Sequence, residues 1–131
     1  IVSMRHEVAG EGRIGCIGTT GRWMATPLLR RLAERHPALH PVLVDATTTS
    51  LIPRVMNGDL DMAIVNTPVV EAGLDSEPLF DEERIVVVPK GHPLAGQGTI
   101  GIEQLAEHPV MLTPRGTTFR DALDQELAAS G

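Results

Sequence analysis

The chain has 131 residues, 42% hydrophobic and 21% charged, the composition of a folded domain rather than a disordered segment. Eleven Lys and Arg against 17 Asp and Glu leave a formal charge of −6, the wrong sign for a surface that grips nucleic acid phosphates. No apolar run reaches the roughly 20 residues that cross a bilayer, and the start, Ile1 to Glu7, does not read as a secretory signal.

Residues 1–11 carry Val2, Met4 and Val8 among Arg5, His6 and Glu7, a pattern that reads as the last turns of a helix stopped by Ala9-Gly10. Ile14 to Gly18 is short and apolar, as buried parallel strands are, and Thr19-Thr20-Gly21 is expected to be the turn after it. Cys16, the lone cysteine, lies inside that strand and reads as a small core residue. A lone cysteine forms no internal disulfide, which fits a cytoplasmic setting.

Trp23 to His36 has helical spacing, with Leu28 and Leu32 four apart and Leu29 and Ala33 likewise. Pro27 has two readings: the first helical position after a Thr26 cap, or a place in the first turns of a helix begun near Arg22. Pro37 ends the helix. Arg30, Arg31 and Arg35 on it read as a solvated face.

Pro41 to Ala46 is a second strand, and Thr47-Thr48-Thr49-Ser50 is a cap cluster for a helix from Leu51 to Met56. Asn57-Gly58 stops that helix by tolerating positive φ, and Leu60 to Val65 is a third strand. Three strands separated by two helices make a parallel βαβαβ unit. Beyond Asn66-Thr67-Pro68 the expected elements are a strand at Ile85–Val88, a short helix from Ile102 to Glu107, a strand at Val110–Leu112 and a final helix from Thr117.

Hydroxyl residues stand where helices should begin, at Thr19-Thr20, Thr47 to Ser50 and Thr117-Thr118. Ligands of open parallel sheets sit outside the carboxyl ends of the strands, where helix N-termini offer unpaired N–H groups to anions. Ordinary N-capping explains the same residues, so both readings stand. Gly15, Gly18 and Gly21 have the wrong spacing for a dinucleotide fingerprint, although Asp45 could mimic its ribose-binding acid. Four of the five histidines precede proline, with no paired spacing for a metal. Asp59 and Asp61 sit at the amino edge of the third strand and read as a turn feature rather than a catalytic pair.

In order and spacing, several short motifs resemble the effector-binding domain of LysR-type transcriptional regulators. They are Gly12-Arg13-Ile14, Arg35-His36-Pro37, Gly58-Asp59-Leu60-Asp61-Met62-Ala63-Ile64, Pro78-Leu79-Phe80, Val86-Val87-Val88-Pro89, Gly91-His92-Pro93-Leu94, Leu105-Ala106 and Pro114-Arg115-Gly116. The resemblance implies an α/β fold, the two-lobed type 2 periplasmic-binding-protein-like fold. Its first lobe is the parallel βαβαβ sheet, and its second lobe is incomplete because the family's domain runs past Gly131. The implied division is 1–11 as the end of a linker helix, 12–84 as the first subdomain and 85–131 as the opening of the second.

The resemblance also implies a small polar or anionic effector in the interlobe cleft, with contacts clustered at the Thr19-Thr20-Gly21 turn. Thr48, Asn66, Thr67 and Thr117 are further candidates by their place at helix starts and strand ends, and Arg115 reads either as a charge partner for an anionic effector or as a solvent-exposed loop arginine. The resemblance implies no catalysis, no cofactor and no metal. The partners it implies are a homodimer or tetramer built on the faces of Trp23–Arg35 and Leu51–Met56, and DNA through a separate N-terminal domain. An extracytoplasmic solute-binding protein of a transporter is the alternative with the same architecture.

Overall fold

Aliphatic runs bounded by Pro, Gly and Thr become strands when they find a partner to pair with, and the first half of this protein supplies one for each. A computed structural model describes residues 7–131. Its elements in chain order are β1 (Gly10–Ile17), α1 (Gly18–Arg35), β2 (Leu39–Ala46), α2 (Thr48–Met56), β3 (Met62–Ile64), α3 (Ile102–Ala106) and α4 (Thr118–Ser130). The chain divides into two compact units, one running to Leu74 and taking in Gly116–Thr118, the other Asp75–Arg115 with Phe119–Gly131. Most of the stretch expected to end a linker helix lies outside the described residues; Gly10 and Glu11, its last two, open β1.

The sheet of the first unit has the order β2-β1-β3, all parallel. β1 is therefore central, with α1 carrying the chain to one side and α2 carrying it back across to the other. Alternate residues of a strand face opposite layers. Cys16 faces α1, its Sγ 3.7 Å from where a Cβ on Gly21 would stand. Ile17 faces α2 and packs in a buried cluster with Leu51 and Leu60, ringed by Val44, Ala46, Val55, Ala63 and Val65. Gly15 sits beneath that cluster. A Cβ there would lie 2.6 Å from Leu51 Cδ2 and 2.9 Å from Leu60 Cδ1, so only glycine lets the two leucines close on the strand.

The helix starts differ from the sequence expectation. α1 begins at Gly18, directly from the strand, so Thr19-Thr20-Gly21 is its first turn rather than a preceding loop. Ile17 occupies the N-cap position in extended geometry and supplies no side-chain cap. Pro27 consequently lies inside the helix as its tenth residue, deeper than either of its two readings expects. α2 follows the expected pattern: Ser50 N–H donates to Thr47 Oγ1 at 3.3 Å, and Gly58 at φ +83° turns the chain away.

Asp61 fastens the amino edge of the sheet. Its carboxylate accepts the Arg13 N–H at 2.8 Å while its own N–H donates to the Arg13 carbonyl at 2.9 Å, extending the β1–β3 ladder by one step. Beside it the Arg13 guanidinium donates to Glu11 at 2.6 Å, and that hydrogen bond, then the charge of Glu11, holds the arginine pKa above its ordinary value. Asp59 N–H is taken by Asn57 Oδ1 at 3.1 Å, a turn bond. These acids do structural work.

In the second unit the expected strands Ile85–Val88 and Val110–Leu112 do not form. Ile85, Val87 and Met111 are 79%, 86% and 99% exposed, and no ladder partner pairs with them among the described residues. High β-propensity reflects packing on a pleated surface, and without one the segments stay irregular. α4 is held to this unit by polar contacts. Arg84 donates to Glu126 at 2.8 Å and lies over the Phe119 ring at 5.4 Å, and Arg120, paired within the helix to Asp124 at 2.7 Å, donates to the Thr113 carbonyl at 3.0 Å.

Replacing a strand glycine by alanine ordinarily gains about 0.5–1 kcal/mol of backbone entropy, whereas overpacking costs about 1–3 kcal/mol. At Gly15 the overpacking wins, so Gly15→Ala is expected to lower the urea midpoint at unchanged slope. An unchanged or raised midpoint would refute the close packing of Leu51 and Leu60 on this strand.

Candidate functional site

A strand order that reverses at β1 leaves a crevice outside the carboxyl ends of the strands. Three chain segments reach that rim in the first unit: the start of α1 after Ile17, the start of α2 after Ala46, and Asn66-Thr67 after β3. The expected site residues of these segments therefore share one edge. Thr19 is exposed there, and Thr20, in the same turn, is only 2% exposed. Thr48 is 5% exposed and its Oγ1 accepts the Asn66 N–H at 3.2 Å, tying the start of α2 to the end of β3. Thr67 is exposed beside it.

Thr117 also joins the first unit. Its segment, Gly116–Thr118, is grouped there, and Thr49 Oγ1 donates to the Gly116 carbonyl at 3.4 Å. Arg115 belongs to the second unit and is exposed.

Neither helix start carries an acidic residue in its first turn. The partial positive charge of each N-terminus is thus not neutralised from within its own helix. α1 has no side-chain cap at all, so its first-turn N–H groups take no side chain from the N-cap residue. Thr hydroxyls next to such N–H groups add donors that suit a carboxylate or a hydroxyl, although the Asp45 carboxylate stands against the start of α1, its Oδ1 3.1 Å from where a Cβ on Gly18 would be. Among the described residues no group of three or more His, Cys, Asp and Glu is placed to hold a metal, and no helix is long and apolar enough to cross a membrane.

Sequence reasoning missed two charged residues near this edge. Asp45 and Arg22 border a hollow of about 230 Å³ together with Gly21. In the sequence Asp45 reads only as a mimic of a ribose-binding acid, and Arg22 only as a helix start. The strand register that sets Asp45 level with Cys16 is a non-local fact, and no short motif signals it.

Comparison with known proteins places this geometry in a family. Residues 5–131 match the LysR substrate binding domain, and the chain belongs to that family. A probable hydrogen peroxide-inducible genes activator of Mycobacterium avium is 34% identical over 113 residues, 86% of this chain and 36% of that protein. The chain thus spans well under half the length of that relative. Among solved structures, an H2O2-bound OxyR mutant of Corynebacterium glutamicum superposes with a TM-score of 0.85 at 26% identity, covering 95% of this chain and 38% of the other. The effector-binding domain of QuiR in complex with shikimate gives 0.82 at 25% identity, covering 94% and 60%. The expected α/β, type 2 periplasmic-binding-like fold holds, and regulators rather than transporter proteins are the relatives.

Thr48→Val removes the acceptor of the half-buried Asn66 N–H, which costs about 1–3 kcal/mol when a donor is left unpaired. The Asn66 amide should then exchange faster with solvent, and Thr48→Ser should restore its protection. Equal exchange in all three proteins would exclude the Thr48 bond as the tie between α2 and β3.

Proposed function

We propose that this domain is the effector sensor of a LysR-type transcription regulator. A small polar or anionic metabolite binds at the carboxyl-end rim of the first unit. Thr19, Thr20 and Gly21 receive it at the start of α1, Thr48 at the start of α2, and Asn66 and Thr67 beyond β3. Thr117, grouped with this unit, completes the set. The observation that carries this reading is the pairing of two acid-free helix starts, both furnished with threonines, at one edge of a sheet.

The effector acts by binding one arrangement of the regulator better than another, since a ligand shifts an equilibrium only by its differential affinity. Within this reading the domain performs no bond-breaking chemistry and needs no cofactor. It works in the cytoplasm as a homodimer or tetramer, and the whole regulator reaches DNA through the N-terminal domain of its family. The relative QuiR, whose effector-binding domain is complexed with shikimate, is consistent with a hydroxylated acid as the ligand class.

A thermal-shift panel of small hydroxylated and simple carboxylic acids, shikimate included, tests the reading. A binder present at about 100 times its Kd stabilises the fold by about 2.7 kcal/mol, which raises Tm by several degrees. Thr19→Val deletes one exposed hydroxyl contact worth about 1 kcal/mol, so the affinity should fall roughly fivefold. A panel with no binder, or a binder indifferent to Thr19→Val, would overturn the assignment.

A further inference from the structure

We propose that Asp45 is a specificity-determining residue of the effector rim. Its carboxylate keeps inorganic and doubly charged anions from the start of α1 and reserves that place for a singly charged acid with a hydroxyl beside its carboxylate. The inference rests on the reading of the rim as the effector site and narrows the class of effector that site takes.

Asp45 reaches the start of α1 from another strand. Level residues of a parallel pair turn their side chains to the same layer. Asp45 is level with Cys16, so both face α1. The whole carboxylate lies against Gly18, the first residue of the helix. Its Oδ1, Oδ2 and Cγ are 3.1, 3.6 and 3.8 Å from where a Cβ there would stand, so a side chain at this position would push it away.

The first turn of α1 holds no acid, and Ile17 supplies no side-chain cap. The negative charge at this helix start therefore comes from β2. Among the described residues the Asp45 carboxylate takes no hydrogen bond and no ion pair, whether from Arg22 or from any other group. A helix N-terminus offers about half a positive charge. One full negative charge beside it more than offsets that attraction for an arriving anion. The inorganic anions that helix starts commonly hold are thus turned away here, and a second charge on the ligand doubles the opposition.

A hydroxyl on the ligand reverses the sign of the contact. An ionised carboxylate can only accept. A hydroxyl next to the ligand's own carboxylate can donate to Asp45 in a charge-assisted bond, while that carboxylate accepts from the Thr19 hydroxyl and the first-turn N–H groups. A plain acid of the same size forfeits the bond and meets the repulsion alone.

The test is an amide-resolved NMR titration of the wild-type chain, Asp45→Asn and Asp45→Ala. The probes are sulfate, propionate and L-lactate, the last two differing by one hydroxyl. At low salt each unit of ligand charge about 4 Å from a solvated carboxylate is opposed about fivefold in affinity. Both variants should therefore bind propionate about fivefold and sulfate about 25-fold more tightly than the wild type, with shifts centred on Gly18, Thr19 and Thr20. These gains should shrink as NaCl rises from about 0.01 M to about 1 M, where the Debye length falls from about 30 Å to about 3 Å. In the wild type lactate should bind about three- to tenfold more tightly than propionate, and in Asp45→Ala the two should be level. Asp45 is exposed, so the variants should keep the native spectrum. Equal sulfate affinity in all three proteins, including no binding in any, would overturn the proposal. So would a gain in Asp45→Ala without one in Asp45→Asn, which would make space rather than charge the cause, or lactate no better than propionate in the wild type. The effector reading stands or falls separately on the thermal-shift panel: a hydroxylated acid that binds the rim but is indifferent to Asp45→Ala would leave that reading intact and sink this one.

Discussion

Everything in the first unit is built around the absence of a side chain at Gly15. β1 is the one strand paired on both edges and covered on both faces, so it has to be thin where the covering layer is thick. Leu51 of α2 and Leu60 before β3 reach toward the same point of the strand from different parts of the chain. Their approach seats α2 on the sheet, and the seat of α2 decides where Thr48 stands. The path from one missing methyl group to the position of a rim hydroxyl is short and passes through close-packed atoms, which transmit displacement rather than absorb it.

The two edges of this sheet have divided their labour. At the amino edge, Asp61, Arg13 and Glu11 spend their charges on one another and on the backbone, holding β1 and β3 in register. At the carboxyl edge the helix starts carry hydroxyls and no acids. Charge is used for assembly at one edge and is absent from the first helical turns at the other. Open parallel sheets favour this division because the strand ends and helix N-termini that can meet a ligand converge on one side only.

How far the sequence alone could be read follows from the range of each interaction. The three strands of the first unit and both helices are legible because their signals are local: apolar runs, a Thr47 cap, a Gly58 stop and a proline after His36. The start of α1 is misplaced by five residues because it has no capping side chain, and a strand that becomes a helix at Gly18 leaves nothing at that point to read. Ile85–Val88 and Val110–Leu112 show the opposite error. Their composition favours strand, but a strand exists only by its neighbours, and no neighbour pairs with them among the described residues. The threonines of the rim were visible as helix-start chemistry. Asp45 and Arg22 were not, because only the β1–β2 register brings them to one hollow.

The bond between the Asn66 amide and the Thr48 hydroxyl fixes more than a position. One lone pair of that oxygen is already spoken for from behind, and the residue is nearly buried, so its second lone pair and its proton are all that remain. Because the donor is a backbone amide rather than a mobile side chain, the hydroxyl can be re-aimed only by moving the chain that leaves β3. The carboxyl edge of the sheet is thus stiffened by a single side-chain oxygen bridging the start of α2 and the exit from β3.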